Sequence, residues 1–95
     1  MSDIIKEKYL KKAVIYDNIW MYFIKDAIQI VIDCKKNNIQ ITAIEAFKLS
    51  GEGIQPSQEN SAEISTGIDN WDDAISFLSN IQNTSYLYEI WYDGY

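Results

Sequence analysis

The sequence predicts an α+β fold in which a small, mainly antiparallel sheet packs against two to three helices. A helical apolar repeat over residues 24–34 precedes a segment, residues 39–48, in which apolar and polar residues alternate. A second alternating segment, residues 86–92, closes the chain after another helical pattern. At 95 residues the chain should form one domain, residues 1–95, with its own core.

The first element should be a short helix. Ser2 can cap it, and Ile5, Tyr9 and Ala13 recur at helical spacing. We expect the helix to end near residues 16–18, with a short strand over residues 19–23 as an alternative.

The second helix, over about residues 22–37, has the strongest pattern. Its apolar residues fall at steps of three and four: Ile24, Ala27, Ile28, Val31 and Cys34. Residues 35–38, two lysines and two asparagines, supply cations for the helix dipole and a left-handed stop.

A half-buried strand should follow the turn. Ile39, Ile41, Ala43 and Phe47 alternate with polar residues. Glu45 shares the parity of the apolar set, so either a bulge turns it outward or its carboxylate lies at the margin of the core.

Residues 50–67 are rich in Gly, Ser, Gln, Asn and Glu and contain the only proline, Pro56. This composition predicts an exposed loop, with a short strand around residues 62–65 as an option. Such a loop is long for a connection within one domain, and long ordered loops are often functional.

A third helix and a last strand complete the fold. Asp69 or Asn70 caps the helix, and Asn83 ends it. Its inward-facing residues should be Ala74, Phe77 or Leu78, and Ile81. In the last strand one face carries Tyr86, Tyr88, Ile90 and Tyr92, and the other carries Leu87, Glu89 and Trp91. Both faces are amphipathic, so the sequence leaves open which one is buried.

The charge distribution is asymmetric. All eight basic residues lie at or before Lys48, whereas residues 49–95 carry eight carboxylates, interleaved with aromatic residues, and no lysine or arginine. A surface of one sign steers encounter with oppositely charged molecules, and aromatic side chains supply contact energy. We therefore expect a basic protein partner and no nucleic acid, whose phosphates the acidic half would repel.

Catalytic chemistry has few candidates. The sequence has no histidine, and its single cysteine, Cys34, lies on the apolar stripe of the second helix, which predicts a core thiol. Asp72 and Asp73 are adjacent, but neighbouring helix positions do not face each other, so capping of the helix dipole explains them better. The acids of residues 50–67 do not match a calcium loop. We expect no enzyme activity, no cofactor and no metal site.

The chain should be cytoplasmic and free of membranes. Residues 1–8 mix charged and apolar residues, unlike a signal peptide. The longest apolar region, residues 19–32, is interrupted by Lys25, Asp26 and Gln29 and is too short to cross a bilayer. The oligomeric state is left open.

Residues 24–47 combine an Asp26-Ala27 step at the start of a helix, a short turn, and a strand with the acidic segment Ile44-Glu45-Ala46. This order resembles the core of small bacterial immunity proteins. These proteins neutralise secreted toxins, including toxins of contact-dependent growth inhibition and colicin-type ribonucleases. The later Asp69-Asn70-Trp71, the helix after it and the aromatic closing strand are also similar. The resemblance covers about residues 20–92.

The resemblance implies an immunity protein that covers the basic active-site cleft of a cognate toxin, a nuclease, with an acidic, aromatic surface. The expected contact residues are Glu45, Glu52, Glu59, Glu63, Asp69, Trp71 and Asp72. The face of Tyr88 or that of Trp91 would add a second anchor. A non-catalytic adaptor or regulatory subunit fits the same surface. An enzyme that relies on Glu45 and another carboxylate is a third alternative.

Overall fold

The computed structural model describes residues 3–51, 53–80 and 85–95, which form three helices and two antiparallel sheets. The predicted α+β fold class is therefore confirmed. In chain order the elements are α1 (Ile4–Tyr9), β1 (Val14–Tyr16), β2 (Ile19–Met21), α2 (Ile24–Lys36), β3 (Ile41–Ser50), β4 (Gly53–Glu63), α3 (Asn70–Ser79) and β5 (Tyr86–Tyr92).

α1 is capped by Asp3. Its Oδ1 accepts hydrogen bonds from the backbone N–H groups of Ile5 and Lys6 at 3.1 and 3.0 Å. The predicted cap, Ser2, lies outside the described residues. Ile5 and Tyr9 are buried, as their helical spacing predicts.

A β-hairpin stands where the sequence predicts the second half of the first helix. Asp17 and Asn18 have φ of 49° and 65°, the left-handed pair that suits a two-residue turn between antiparallel strands. The expectation that the helix reaches residues 16–18 is therefore wrong. The alternative, a short strand from Ile19, is confirmed by β2.

α2 begins two residues later and ends one residue earlier than predicted. It buries Ala27, Ile30, Val31 and Cys34 completely, so Cys34 is a core thiol, as expected. Asn38, with φ of 56°, provides the predicted left-handed stop.

The larger sheet has the strand order β4-β3-β5, and α2 and α3 pack on what we call its first face. Ile44 and Ala46 of β3 lie on this face together with Tyr88 and Ile90 of β5. Because side chains alternate along a strand, Glu45, Phe47, Leu87, Glu89 and Trp91 lie on the second face. The inward face of β5 is thus the one that carries Tyr88.

The hairpin covers only one end of the second face. A small core cluster of Met21, Phe47 and Leu87 forms there, with Val14, Ile19 and Ile54 packed around it. Two backbone hydrogen bonds of 2.8 Å between Tyr22 and Tyr88 fasten the hairpin to the edge of β5.

β4 is an eleven-residue strand where an exposed loop was predicted, so that prediction is wrong. The strand lies at the edge of the sheet and pairs only with β3 among the described strands, which explains why so polar a segment is tolerated. An edge position also admits Pro56, because one side of the strand needs no N–H donor. The optional strand over residues 62–65 overlaps only the last two residues of β4.

α3 begins near its predicted cap. Asp69 is the N-cap residue but makes no side-chain capping bond, whereas the Asn70 side chain bonds backbone groups of Ile41 and Ser65. Ala74 and Leu78 are buried, as predicted. The predictions for Ile81 and Asn83 fall outside the described residues.

Candidate functional site

Beyond the hairpin, no other helix or strand of the described residues packs on the second face of the sheet. We call this part, formed by Ala43, Glu45, Glu63, Glu89 and Trp91, the open face. The strand register assembles it, since Ala43 pairs with both Glu63 and Trp91, and Glu45 pairs with Glu89. An open groove of about 590 Å³ runs along it, lined by Thr42, Ala43, Glu45, Glu63, Ile64, Ser65 and Trp91.

Glu45 lies opposite an irregularity in β4. Ile44 pairs with Ala62 and Ala46 with Ser57, so the four residues 58–61 lie opposite Glu45 alone. The Ser61 hydroxyl accepts from the N–H of Ala46 at 2.9 Å and donates to the carbonyl of Ser57 at 2.7 Å, which closes this bulge. Glu45 is exposed. The expected outward orientation of Glu45 is confirmed, but Glu45 keeps the parity of Ala43 and Phe47, and the bulge lies in the neighbouring strand.

Glu89 is a buried carboxylate at the back of the open face. Glu89 is only 4% exposed. Trp91 Nε1 donates to its Oε1 at 2.9 Å, and the Tyr95 hydroxyl donates to its Oε2 at 2.6 Å. Burial raises the pKa of Glu89, and the Glu45 carboxyl raises it further, although the hydrogen bonds from Tyr95 and Trp91 oppose the shift.

Trp91 forms an aromatic wall of the groove. It is 37% exposed, so a large part of its ring is available for contact. Its bond to Glu89 and an edge contact with Tyr95, 4.8 Å between ring centroids, fix its orientation. A pre-oriented, half-exposed indole is the kind of side chain that anchors protein interfaces.

Lysine and acidic residues are distributed differently on the two sides of the sheet. In the described part of the chain the ion pairs are Lys8–Asp33, Lys12–Asp26 and Lys35–Asp72, with N–O distances of 2.8, 3.5 and 3.4 Å. All of them involve the helical layer or the turn after α1. Lys48 of β3 alternates with Glu45 and therefore lies on the first face. None of these ion pairs neutralises the glutamates of the open face.

Lys6 of α1 stands at one corner of this region. Its ammonium lies 4.8 Å from the ring centroid of Tyr95 and 5.1 Å from that of Trp20. These contacts are cation–π interactions, which hold the lysine against aromatic rings. Burial and the neighbouring Glu89 carboxylate raise the pKa of the Tyr95 hydroxyl well above its ordinary value, so Tyr95 stays protonated as the donor to Glu89.

The residues that the sequence singled out do not all come together. Glu45 and Glu63 both line the groove, and Glu59 lies in the adjacent bulge of β4. Glu52 lies outside the described residues. Asp69 and Asp72 lie at the start of α3, on the helical side, where Asp72 pairs with Lys35.

Trp71 does not fit the expected role of an exposed anchor. It is 8% exposed, and its Nε1 donates to the carbonyl of Ile39 at 2.7 Å. The ring packs in the main core, so its contribution is structural. The exposed tryptophan is Trp91, which belongs to one of the two β5 faces that the sequence left open.

Sequence reasoning did not select Glu89. The available signal was the pairing of two alternating strands, each with a glutamate at its centre. That signal becomes specific only when the register is known, because a shift of one residue would move Glu89 to the other face.

Reactive groups outside the open face are sparse in the described residues. Burial raises the pKa of the Cys34 thiol to about 12, with smaller contributions from Asp33 and Asp3, which suppresses its nucleophilicity. Within the described ranges no three metal-ligating side chains converge on one point. The described helices are too short or too polar for any of them to cross a membrane. No protein-family model matches the chain, and no curated protein matches it either.

Proposed function

We propose that this protein binds and neutralises a cognate secreted bacterial toxin, a nuclease, by covering its basic active-site cleft. The observation that carries the proposal is the open face, where Glu45 and Glu63 line the same groove as the exposed ring of Trp91 and buried Glu89 accepts a hydrogen bond from its Nε1. Its carboxylates form no ion pair within the described residues. A cationic surface is the complementary partner.

The glutamates and the tryptophan of the open face would have different roles in binding. Glu45 and Glu63 are exposed and would raise the rate of encounter with a basic cleft, since their field extends about 8–10 Å at physiological ionic strength. Trp91 would supply the desolvated contact once the surfaces meet. The mechanism is blockade of the cleft, and it requires no catalytic group on this chain. The protein would act in the cytoplasm of the cell that it protects.

The aspartates of α3 are less suitable for this role. Asp69 and Asp72 lie on the helical side, and Lys35 partly neutralises Asp72. We therefore assign the partner contact to the sheet, with Glu59 at its margin.

The test is a comparison of two double variants. Glu45→Gln with Glu63→Gln replaces two exposed carboxyl groups of the open face, whereas Glu7→Gln with Asp73→Asn replaces two on the exposed helical side. The candidate partner is the product of the adjacent upstream gene, which is co-expressed and measured by surface plasmon resonance and by growth of the cells that carry it. The first variant should slow association about tenfold at low salt, and the second should change it by less than about threefold.

The anchor is tested separately. Trp91→Ala should weaken the complex by roughly 30-fold or more, mainly through faster dissociation. Equal effects of the two double variants, or an association rate that does not depend on salt, would contradict docking through the open face. A partner that binds this face without any effect on growth would instead make the protein an adaptor.

A further inference from the structure

Two carboxyl groups meet on the open face because the strand register requires it. Glu45 and Glu89 are directly opposite each other in the antiparallel pair β3–β5. The β-carbons of such residues stand about 4.5–5.5 Å apart, and like charges at this distance repel. Glu89 is 4% exposed, so water screens the repulsion poorly.

The Glu89 carboxyl group is held in place by hydrogen bonds. Both of its oxygens accept from neutral donors, Trp91 Nε1 and the Tyr95 hydroxyl. The Glu45 carboxyl group, on the residue directly opposite in the strand pair, raises the pKa of Glu89 further. Two carboxyl groups can hydrogen-bond each other only when one of them carries a proton, because two carboxylates are both acceptors.

Three parts of the chain place other charged or titratable groups near the pair. Glu63 of β4 lines the same groove as Glu45 and adds negative charge. The Tyr95 hydroxyl follows β5, and Lys6 of α1 lies against the outer side of the Tyr95 ring. The Lys6 ammonium contacts the rings of Trp20 and Tyr95 and forms no ion pair with either glutamate within the described residues.

We propose that Glu45 and Glu89 share one proton in the free protein and that loss of this proton switches the open face from two negative charges to three, which strengthens docking of a basic partner. The charges are those of Glu63 and of the pair, which counts as one when it holds the proton and as two when it does not. The proposal of a shared proton depends only on the geometry of the free protein. The effect on docking rests on the proposed function.

Docking and deprotonation must then favour each other. A cationic partner binds the fully ionised face more tightly, so binding releases the proton, and by reciprocity higher pH tightens binding. Because a single proton is involved, affinity can rise by at most about tenfold per pH unit, and only over the range in which the pair titrates.

The shared proton is tested on the free protein by titrating its glutamate side-chain carboxyl carbons with ¹³C NMR. The signals of Glu45 and Glu89 should respond to each other's ionisation, and Glu89 should titrate above the ordinary range of a glutamate. Glu45→Gln should lower the midpoint of Glu89, since the amide repels no carboxylate. Glu63→Gln removes a carboxyl group from the same face and serves as the matched control. It should shift the titration midpoint of Glu89 by less than about half a pH unit. If Glu89 titrates in the ordinary range of a glutamate, or if Glu45→Gln leaves its midpoint unchanged, the shared proton is overturned.

The docking half is tested with an octalysine peptide at low salt by calorimetry, in two buffers of different ionisation enthalpy and at several pH values. Wild type should release up to one proton and bind more tightly as the pH rises. Glu89→Gln should bind without this release, whereas Glu63→Gln should bind more weakly and still release it. ¹H–¹⁵N spectra check that each variant is folded.

The possible failures are distinguishable. Peptide binding without proton release, at an affinity that does not change with pH, overturns this inference and leaves the proposed function standing. No peptide binding at any pH, or equal binding by a Glu45→Gln, Glu63→Gln variant, overturns the cationic docking surface itself. In that case the proposed effect of the proton on docking is also overturned, whereas the NMR titration still tests the shared proton independently.

Discussion

The Asn70 side chain connects α3 to the sheet, and its removal should destabilise the protein strongly. The residue is 1% exposed. Its Oδ1 accepts from the N–H of Ile41, and its Nδ2 donates to the carbonyls of Ile41 and Ser65, each at 2.7 Å. One amide thus satisfies three backbone groups at the start of β3 and in the segment after β4.

Asn70→Ala should lower the free energy of unfolding by about 3 kcal/mol. Ile41 is fully buried, so water cannot replace the lost hydrogen bonds of its N–H and its carbonyl. Leaving each of these two groups unpaired would cost about 1–1.5 kcal/mol. Ser65 is exposed and its carbonyl can bond water, which limits that loss to about 0.5 kcal/mol. For a domain of this size, 3 kcal/mol corresponds to a fall in Tm of roughly 12–24 °C.

The assay is urea unfolding at 25 °C, followed by tryptophan fluorescence and circular dichroism. Asn80→Ala, an exposed position at the other end of α3, is the control and should change stability by less than about 0.5 kcal/mol. A loss below about 1 kcal/mol for Asn70→Ala, with an unchanged m-value, would refute the reasoning.

Three further predictions concern other parts of the molecule. Gly53→Ala should cost roughly 1–3 kcal/mol in unfolding measurements, because φ is +126° and the new Cβ would stand 2.9 Å from the Tyr16 hydroxyl, whereas Gly51→Ala has open space and should cost less. Burial alone would raise the pKa of Asp33, but hydrogen bonds from Lys8 and Tyr9 hold it below its ordinary value. Asp33 thus contributes stability above about pH 4 that is lost as pH falls through the lowered pKa, and urea titrations should find the advantage of wild type over Asp33→Asn smaller at pH 3 than at pH 7. Cys34 should react with a thiol reagent only at the rate of unfolding, and rapid labelling of the native protein would contradict its burial.

The elements with strong hydrophobic periodicity were predictable from sequence. α2, β3, α3 and β5 each bury one face, and burial of that face is what the spacing of Val31, Ile44, Leu78 and Ile90 encodes. The sequence did not predict β4, and it predicted the hairpin only as a possible short strand over residues 19–23. The hairpin was hidden because Asp17-Asn18 suits either the end of a helix or a two-residue turn. β4 was missed because an edge strand can be polar on both sides.

The candidate site was only partly predictable for a related reason. Glu45 and Glu63 stood out by charge and by a break in alternation, and the structure places both on one groove. Trp71 and Trp91 look alike in sequence, and only the packing of α3 against the sheet decides that the first is buried and the second exposed. The pairing of Glu45 with Glu89 depends on a register that no local pattern contains.

The bulge in β4 also affects how this protein behaves when many copies are crowded together. A second chain that tried to extend the sheet along β4 would find no continuous ladder of donors and acceptors, because residues 58–61 interrupt the strand and Pro56 lacks an N–H. The exposed carboxylate of Glu59 would repel an identical strand. The irregularity opposite Glu45 therefore protects the molecule from fibril-like self-association along this border.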